Sequence, residues 1–330
     1  MTVAPTLADR LAAVKSAKSM NYYPSDAGWS AMWTGFDAAR IDADLAKIAA
    51  LGADNVRVIV FPQAFGWPTA KPENTEKLRK FISIADSHGL TVKVTLFDWW
   101  SAYSEVANSV NWAKTILGPY GNDPRVIAVE LKNEIQPGDP AAMTWVRQLI
   151  PAMRTAFPAM PLTLSVDGGV GAPGLAQIKS SLAGVPLDYY DFHFYGSSER
   201  ALAEIRKAQA AVAPNPMVIG ETGLSSASAS EGEQGAYLAR VFRAAAEAGV
   251  GSVSPWTLND FANGAIPANS SVSAMPAQYR FGLYRADGSP KFASTVVRTV
   301  WTTGAVPNSL LNLGFEAPAG DSPWRQANTA

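Results

Sequence analysis

The chain has 330 residues, enough for two average domains or for one large α/β barrel. It is 48% hydrophobic and 17% charged, and its 27 basic and 28 acidic side chains form no block of like sign. That balance excludes a strongly electrostatic partner, nucleic acid or an anionic membrane, and the absence of cysteine excludes disulfides, thiolate metal sites and cysteine nucleophiles together.

No apolar run approaches the ~20 residues of a membrane-spanning helix. Residues 1–18 carry charges within their apolar stretch and lack a convincing cleavage site, so they read as an amphipathic leader segment. Ser19 to Pro24 is the first strand candidate, followed by an aromatic loop. Asp37 to Leu51 places Ile41, Leu45, Ile48 and Leu51 at helical spacing and stops at Gly52. Asn55 to Phe61 is a buried strand with a loop to Pro72, and a helix then begins at Asn74 and closes at His88-Gly89. Thr91 to Trp99 is the third strand, and Ser104 to Leu117 is helical. Val126 opens an apolar run that ends abruptly in Asn133-Glu134. Asp139-Pro140 is an N-cap with proline in the first turn.

Pro161 to Asp167, Leu187 to Tyr195, Met217 to Thr222 and Gly251 to Trp256 supply four more strands. Helices are expected up to about Leu182, near Glu199–Val212, after the capping box Ser230-Glu-Gly-Glu233, and over Phe292–Trp301. The eight strands begin near residues 19, 55, 91, 126, 161, 187, 217 and 251, 26 to 36 residues apart. One βα unit repeated eight times predicts a (β/α)8 barrel, an α/β fold with one catalytic domain over residues 19–304. A doubly wound open sheet is the rival, but the Gly-rich phosphate fingerprint it would carry after the first strand is absent. Residues 305–330, with Leu310-Leu-Asn-Leu-Gly-Phe-Glu316, read as a tail that resembles the truncated start of a β-sandwich carbohydrate-binding module.

In such a barrel chemistry sits at the C-terminal strand ends. There, the fourth and seventh strands each deliver a carboxylate, Glu134 and Glu221. Two carboxylates at the same end of parallel strands can divide the work that glycoside hydrolysis needs, one as a protonated acid and one as an ionised nucleophile or base. A lone strand-end carboxylate is otherwise an ordinary ion-pairing group. Arg57 lies on a buried strand where an unpaired charge is costly, with Glu221 and Glu130 as its expected partners. His193 and Tyr195, two apart, point to one side of their strand. Two histidines in the whole chain are too few for a histidine metal cluster, and no nucleophile-elbow sequence accompanies them.

The sequence resembles the clan A glycoside hydrolases, in pattern glycoside hydrolase family 5, the cellulase and mannanase family, over roughly residues 19–302. The carriers are Asn-Val-Arg57-Val, Glu-Leu-x-Asn133-Glu134, His193-x-Tyr195, Glu221, Trp256 and the segment Phe281 to Lys291. The resemblance implies a retaining enzyme with Glu134 as acid/base and Glu221 as nucleophile. It implies further that Asn133 holds the sugar 2-hydroxyl, His193 meets the substrate, Tyr195 lies beside the nucleophile and Trp256 forms the floor under the scissile sugar. Tyr22, Trp99 and Trp100 are on loops that could build further subsites. Ile135 departs from the family, which very often has proline there. The expected substrate is a β-linked oligo- or polysaccharide, with a lean to endo action on β-1,4-glucan or β-mannan. Exo action, or a silent carbohydrate-binding barrel, is the alternative. No cofactor is expected, and the resemblance implies a secreted monomer.

Overall fold

The computed structural model describes residues 4–311. All strands are parallel and form two sheets, β1 Ser19–Asn21, β2 Asn55–Ile59, β3 Thr91–Thr95, β4 Val126–Glu130 and β5 Leu162–Thr163 in one, and β6 Ser165–Val166, β7 Tyr190–Phe194, β8 Met217–Thr222 and β9 Val253–Pro255 in the other. β5 and β6 are halves of one barrel strand, parted at buried Leu164. The remaining seam is stitched by Asn21: its amide donates to the Pro255 carbonyl, and its own carbonyl accepts from Leu258 N and from Thr257 Oγ1. The fold is a (β/α)8 barrel, as the repeat predicts.

Helices cover the apolar outer faces. Asp37 caps Ala38–Ala50, Asp139 caps Pro140–Ala156, and Ser230 with Glu233 forms the expected capping box of Glu231–Glu247. The Gly52 stop is real, with φ +88 in the left-handed region that only glycine adopts cheaply.

Several boundaries differ from the sequence reading. The helix expected from Asn74 begins at Pro72, proline being tolerated at the first helical position, and the Asn74 amide is occupied by the Ala64 carbonyl at 2.8 Å. The loop before it contains a helical turn, Pro62–Phe65. The helix expected from Ser104 starts at Val106. β4 ends at Glu130, so Asn133 and Glu134 lie in the turn beyond it and not on the strand itself.

The segment before β1 is a helix, α1 (Leu7–Ser16), opened by a Thr6–Asp9 capping box. It packs Val14 and Ala17 against Ile127, Ala128, Tyr189 and Val218, which belong to the barrel strands and their flanks. Arg10, 2% exposed, donates to the Gly121 and Asp123 carbonyls just before β4, fixing the helix to the end of the barrel where β4 begins. At the other terminus Asn308–Leu310 is one 3-10 turn, and the rest of the expected tail, 312–330, lies outside the described residues. Among the described residues no helix is long and apolar enough to cross a membrane.

Candidate active site

The barrel interior is polar where β2, β3, β4, β7 and β8 face one another. Arg57, the middle residue of β2 and not its last, is the hub. Its Nε donates to Glu130 Oε2 at 2.8 Å and Thr95 Oγ1 at 2.9 Å, and its Nη1 to Glu221 Oε1 at 2.5 Å and Asn21 Oδ1 at 2.9 Å. Nη2 reaches Glu130 Oε1 at 3.1 Å and Asn133 Oδ1 at 2.7 Å. A planar guanidinium with a rigid fork of donors can serve so many acceptors at once. Both expected partners, Glu221 and Glu130, are therefore its partners. One layer on, Lys93 of β3 donates to Asp191 of β7 and lies 3.4 Å from Glu130 Oε2. These buried cations balance the buried carboxylates, without which burial of the anions would be prohibitive.

Glu134 adopts φ +44, a left-handed backbone that a non-glycine residue rarely takes. The surrounding chain enforces it: Glu134 N donates to Ser165 Oγ at 2.7 Å and Ile135 N to the Ser165 carbonyl at 3.0 Å. The turn aims the carboxylate inward, where Glu134 Oε1 meets His193 Nδ1 at 3.0 Å. The same His193 nitrogen lies 3.5 Å from Glu221 Oε2, which also accepts from Tyr195 Oη at 2.8 Å. His193 Nδ1 is thus shared by the two carboxylates. One oxygen of Glu134 and one of Glu221 lie within 4.8 Å of each other.

Burial pushes Glu134 well above the ordinary carboxylate range, and the charges of Asp167 and Asp98 push the same way. Glu221 is also raised by burial, but His193 and Arg57 pull it back, with Tyr195 adding a hydrogen bond to the charged form. Burial would raise Glu130 too, yet Arg57, Lys93 and His193 outweigh it and hold that group far below the usual range. The gradient therefore runs from a carboxylate that is always ionised, through Glu221, to Glu134, which resists ionisation most. Asp98 and Asp167 act on it from behind: Asp98 accepts from Asn133 Nδ2 at 3.3 Å and from Trp99 N, and Asp167 from Gly169 N.

The aromatic residues divide. Trp256 is 5% exposed and meets Tyr23 and Trp29 edge-on, at centroid separations of 5.9 and 5.8 Å. Trp99 is partly exposed and stacks on Trp29 at 5.9 Å. Trp100 is in an aromatic cluster with Trp67, Phe97, Tyr103 and Trp145, packing under the loops. Tyr22 does not belong to the site. Its ring stacks on Phe81 and its hydroxyl donates to Asp44 on the covering helix, because alternation along the strand turns it outward. Its neighbour Tyr23 takes the inward position beside Trp256.

Sequence reasoning missed Asn21, Lys93, Asp191 and Ser165. Lys93 and Asp191 had a signal, since each is a charge inside an otherwise apolar or aromatic strand, and such a charge must be paired. Asn21 and Ser165 had none beyond their position near strand ends. Two groupings have the ligand types and spacing for a cation, Glu130 with Asp191 and His193, and Glu134 with His193 and Glu221. In the first, Lys93 and Arg57 already supply the positive charge.

The family model described as cellulase, glycosyl hydrolase family 5, matches residues 17–262. No curated protein matches the chain in sequence. Among solved structures, the exo-β-1,4-mannosidase Op5Man5 from Opitutaceae bacterium strain TAV5 is similar at 18% identity with a TM-score of 0.69. That match covers 89% of this chain and 60% of the mannosidase, so the chain spans less than two thirds of its length. A Streptomyces cattleya GH5_18 variant in complex with Manβ1-4GlcNAc matches at 21% identity and TM-score 0.69, over 92% of this chain and 82% of that one. A GH5_18 protein from Bifidobacterium longum subsp. infantis matches at 17% identity and TM-score 0.70, over 86% and 78%. At such identities the likeness speaks for the fold.

Proposed function

The chain belongs to glycosyl hydrolase family 5, the cellulase family, and from that membership we propose a retaining β-glycosidase with Glu134 as acid/base and Glu221 as nucleophile. One observation supports the retaining course: the two carboxylates approach within 4.8 Å, oxygen to oxygen, with His193 Nδ1 in reach of both. Retaining enzymes hold their carboxyl groups ~5–5.5 Å apart, and inverting ones need ~6.5–9.5 Å to seat a water. In the first step Glu221 attacks the anomeric carbon while Glu134 protonates the departing oxygen. In the second, Glu134 takes a proton from water, which displaces Glu221 and frees the sugar. Arg57 and Tyr195 keep Glu221 oriented and favour its charged form. Asn133, held by Arg57 and Asp98, is the residue proposed to meet the 2-hydroxyl.

Enclosure favours removal of a terminal sugar over cleavage within a chain. The Glu221 side chain is 6% exposed and Glu134's 20%, and the rings of Tyr23, Trp29 and Trp256 are buried against one another. Only Trp99 among these rings is partly open. An open cleft for a polymer would display a row of accessible rings. We therefore take exo action as the reading to test ahead of the endo action expected from the sequence, with a terminal β-mannosyl residue first among sugars. The likeness to an exo-β-1,4-mannosidase and to a GH5_18 variant in complex with Manβ1-4GlcNAc motivates that choice. Treatment with activated 2-fluoro β-mannoside and β-glucoside, followed by peptide mass mapping, tests site and sugar together. A label on Glu221 from the mannoside is expected; a label on any other residue would overturn the assignment.

A further inference from the structure

His193 is fully buried, and its two nitrogens face different partners. Nδ1 looks at Glu134 and Glu221, as described. Nε2 has no hydrogen bond, and neither has Asp191 Oδ1, yet the two atoms lie 3.8 Å apart in the barrel interior. Asp191 cannot turn away. Its Oδ2 is taken by Lys93, and it lies against Gly220 so closely that a Cβ there would come within 1.9 Å of Oδ1. If Nε2 carried a lone pair it would confront the lone pairs of a carboxylate. If it carries a proton, the partial positive charge of the N–H faces the carboxylate oxygen 3.8 Å away, and that attraction eases the burial of both atoms.

We propose that Asp191 is a positioning residue for the acid/base: it pins a proton on His193 Nε2, so that Nδ1 alone exchanges a proton with Glu134. The inference rests on the role given to Glu134 above. With Nε2 fixed, the 3.0 Å contact between Nδ1 and Glu134 Oε1 holds one mobile proton. Glu134 passes that proton to the departing oxygen, and the proton later removed from water restores it, so the pair ends the cycle as it began. The charged and titratable groups facing His193 come from every side of the barrel. Glu134 and Glu130 act on it from the turn after β4 and from β4, and Glu221 from β8, while Lys93 of β3 and Arg57 of β2 stand behind these carboxylates, Lys93 on Glu130 and Asp191, Arg57 on Glu130 and Glu221. Tyr195 lies beside Glu221 at the end of β7, and Asp167 acts on Glu134 from the end of β6. Among the described residues Asp191 is the one carboxylate within 4 Å of Nε2.

The chain has two histidines, so imidazole 15N spectra of the whole protein are readable, with His88→Gln removing the other set. Nε2 of His193 should carry its proton throughout the pH range in which the enzyme is active. A lone-pair Nε2 in that range overturns the proposal, and this measurement needs no variant of the site. In Asp191→Asn the Lys93 ammonium should keep the amide oxygen, leaving the NH2 group facing Nε2. A donor would then face a donor, and the imidazole should change tautomer. kcat/KM should fall by up to about 10⁴-fold with a displaced pH profile, the loss seen when a triad aspartate that sets a histidine tautomer is amidated. An unchanged tautomer and pH profile in a folded Asp191→Asn protein would equally overturn it. If instead Glu134→Gln proves fully active while the spectra are as expected, the fault is in the role of Glu134 and not in that of Asp191.

Discussion

At the scale of single residues, the site works by pushing two carboxylates apart. Activity needs Glu221 ionised and Glu134 protonated, so the rate should rise with pH through the first and fall through the second. Burial raises both groups, so both limbs of the bell should lie above the ordinary carboxylate value of about 4.3. A kcat/KM profile centred in the acidic range below that value would contradict the assignment. The same shift has a cost in folding. Glu134 holds its proton more tightly folded than unfolded, so the unfolded chain loses it first as pH rises. Stability should therefore decline from the unfolded carboxylate range up through the folded value, and Glu134→Gln, which cannot titrate, should lack this decline. Thermal unfolding of the variant against the parent, at acidic and at neutral pH, reads the difference. Kinetically, glutamine at 134 can neither give nor take a proton. An activated aryl glycoside should still form the glycosyl-enzyme through Glu221, giving a burst near one per site and then a slow phase. Azide should restore turnover with a product of retained configuration. Equal slowing of activated and natural substrates, without a burst, would remove Glu134 from the acid/base role.

At the scale of elements, strand ends were more legible than strand interiors. Asn133, Glu134, His193, Tyr195 and Glu221 could be found because a polar residue closing an apolar run stands out, and the structure brings them together around Arg57. The exact turn holding Glu134 was not legible, since nothing in Leu-Lys-Asn-Glu signals a left-handed backbone in a non-glycine residue. Tyr22 failed for a related reason: one residue of register decides whether a side chain faces the site or the helices, and Tyr22 and Tyr23 are chemically the same. Gly220 is the position where an element leaves least room. Gly220→Ala would drive a methyl into Asp191, so β7 and β8 must part or Asp191 must move. A loss of at least about 2 kcal/mol in denaturant unfolding is expected, within the usual range for overpacking. α1 offers the opposite case, structure without chemistry. Arg10→Ala leaves the Gly121 and Asp123 carbonyls without their donor and should cost about 1–3 kcal/mol. Its kcat should not change; a fall in kcat at a temperature where the variant is folded would show that the helix reaches the site.

For the whole molecule, the regular spacing of eight βα units made the barrel readable, whereas the enclosure of its mouth depends on loop conformations that no local pattern encodes. That enclosure has a direct readout. Digestion of β-linked oligosaccharides of increasing length should release single sugars from the start, and early products of mixed length would restore the endo reading. The column of Arg57, Glu130, Lys93 and Asp191 inside the barrel has a consequence of another kind. Ions in solution weaken the mutual influence of charges over about 8 Å at physiological strength, and over about 3 Å in 1 M salt, but only where they can enter. The charges that rank Glu134 above Glu221, Arg57 of that column together with His193, Asp98 and Asp167, are all buried, beyond the reach of a hydrated counterion. The two limbs of the pH profile should therefore keep their positions from dilute buffer to about 1 M sodium chloride, which makes the enzyme's working pH a property of its interior and indifferent to the brine around it.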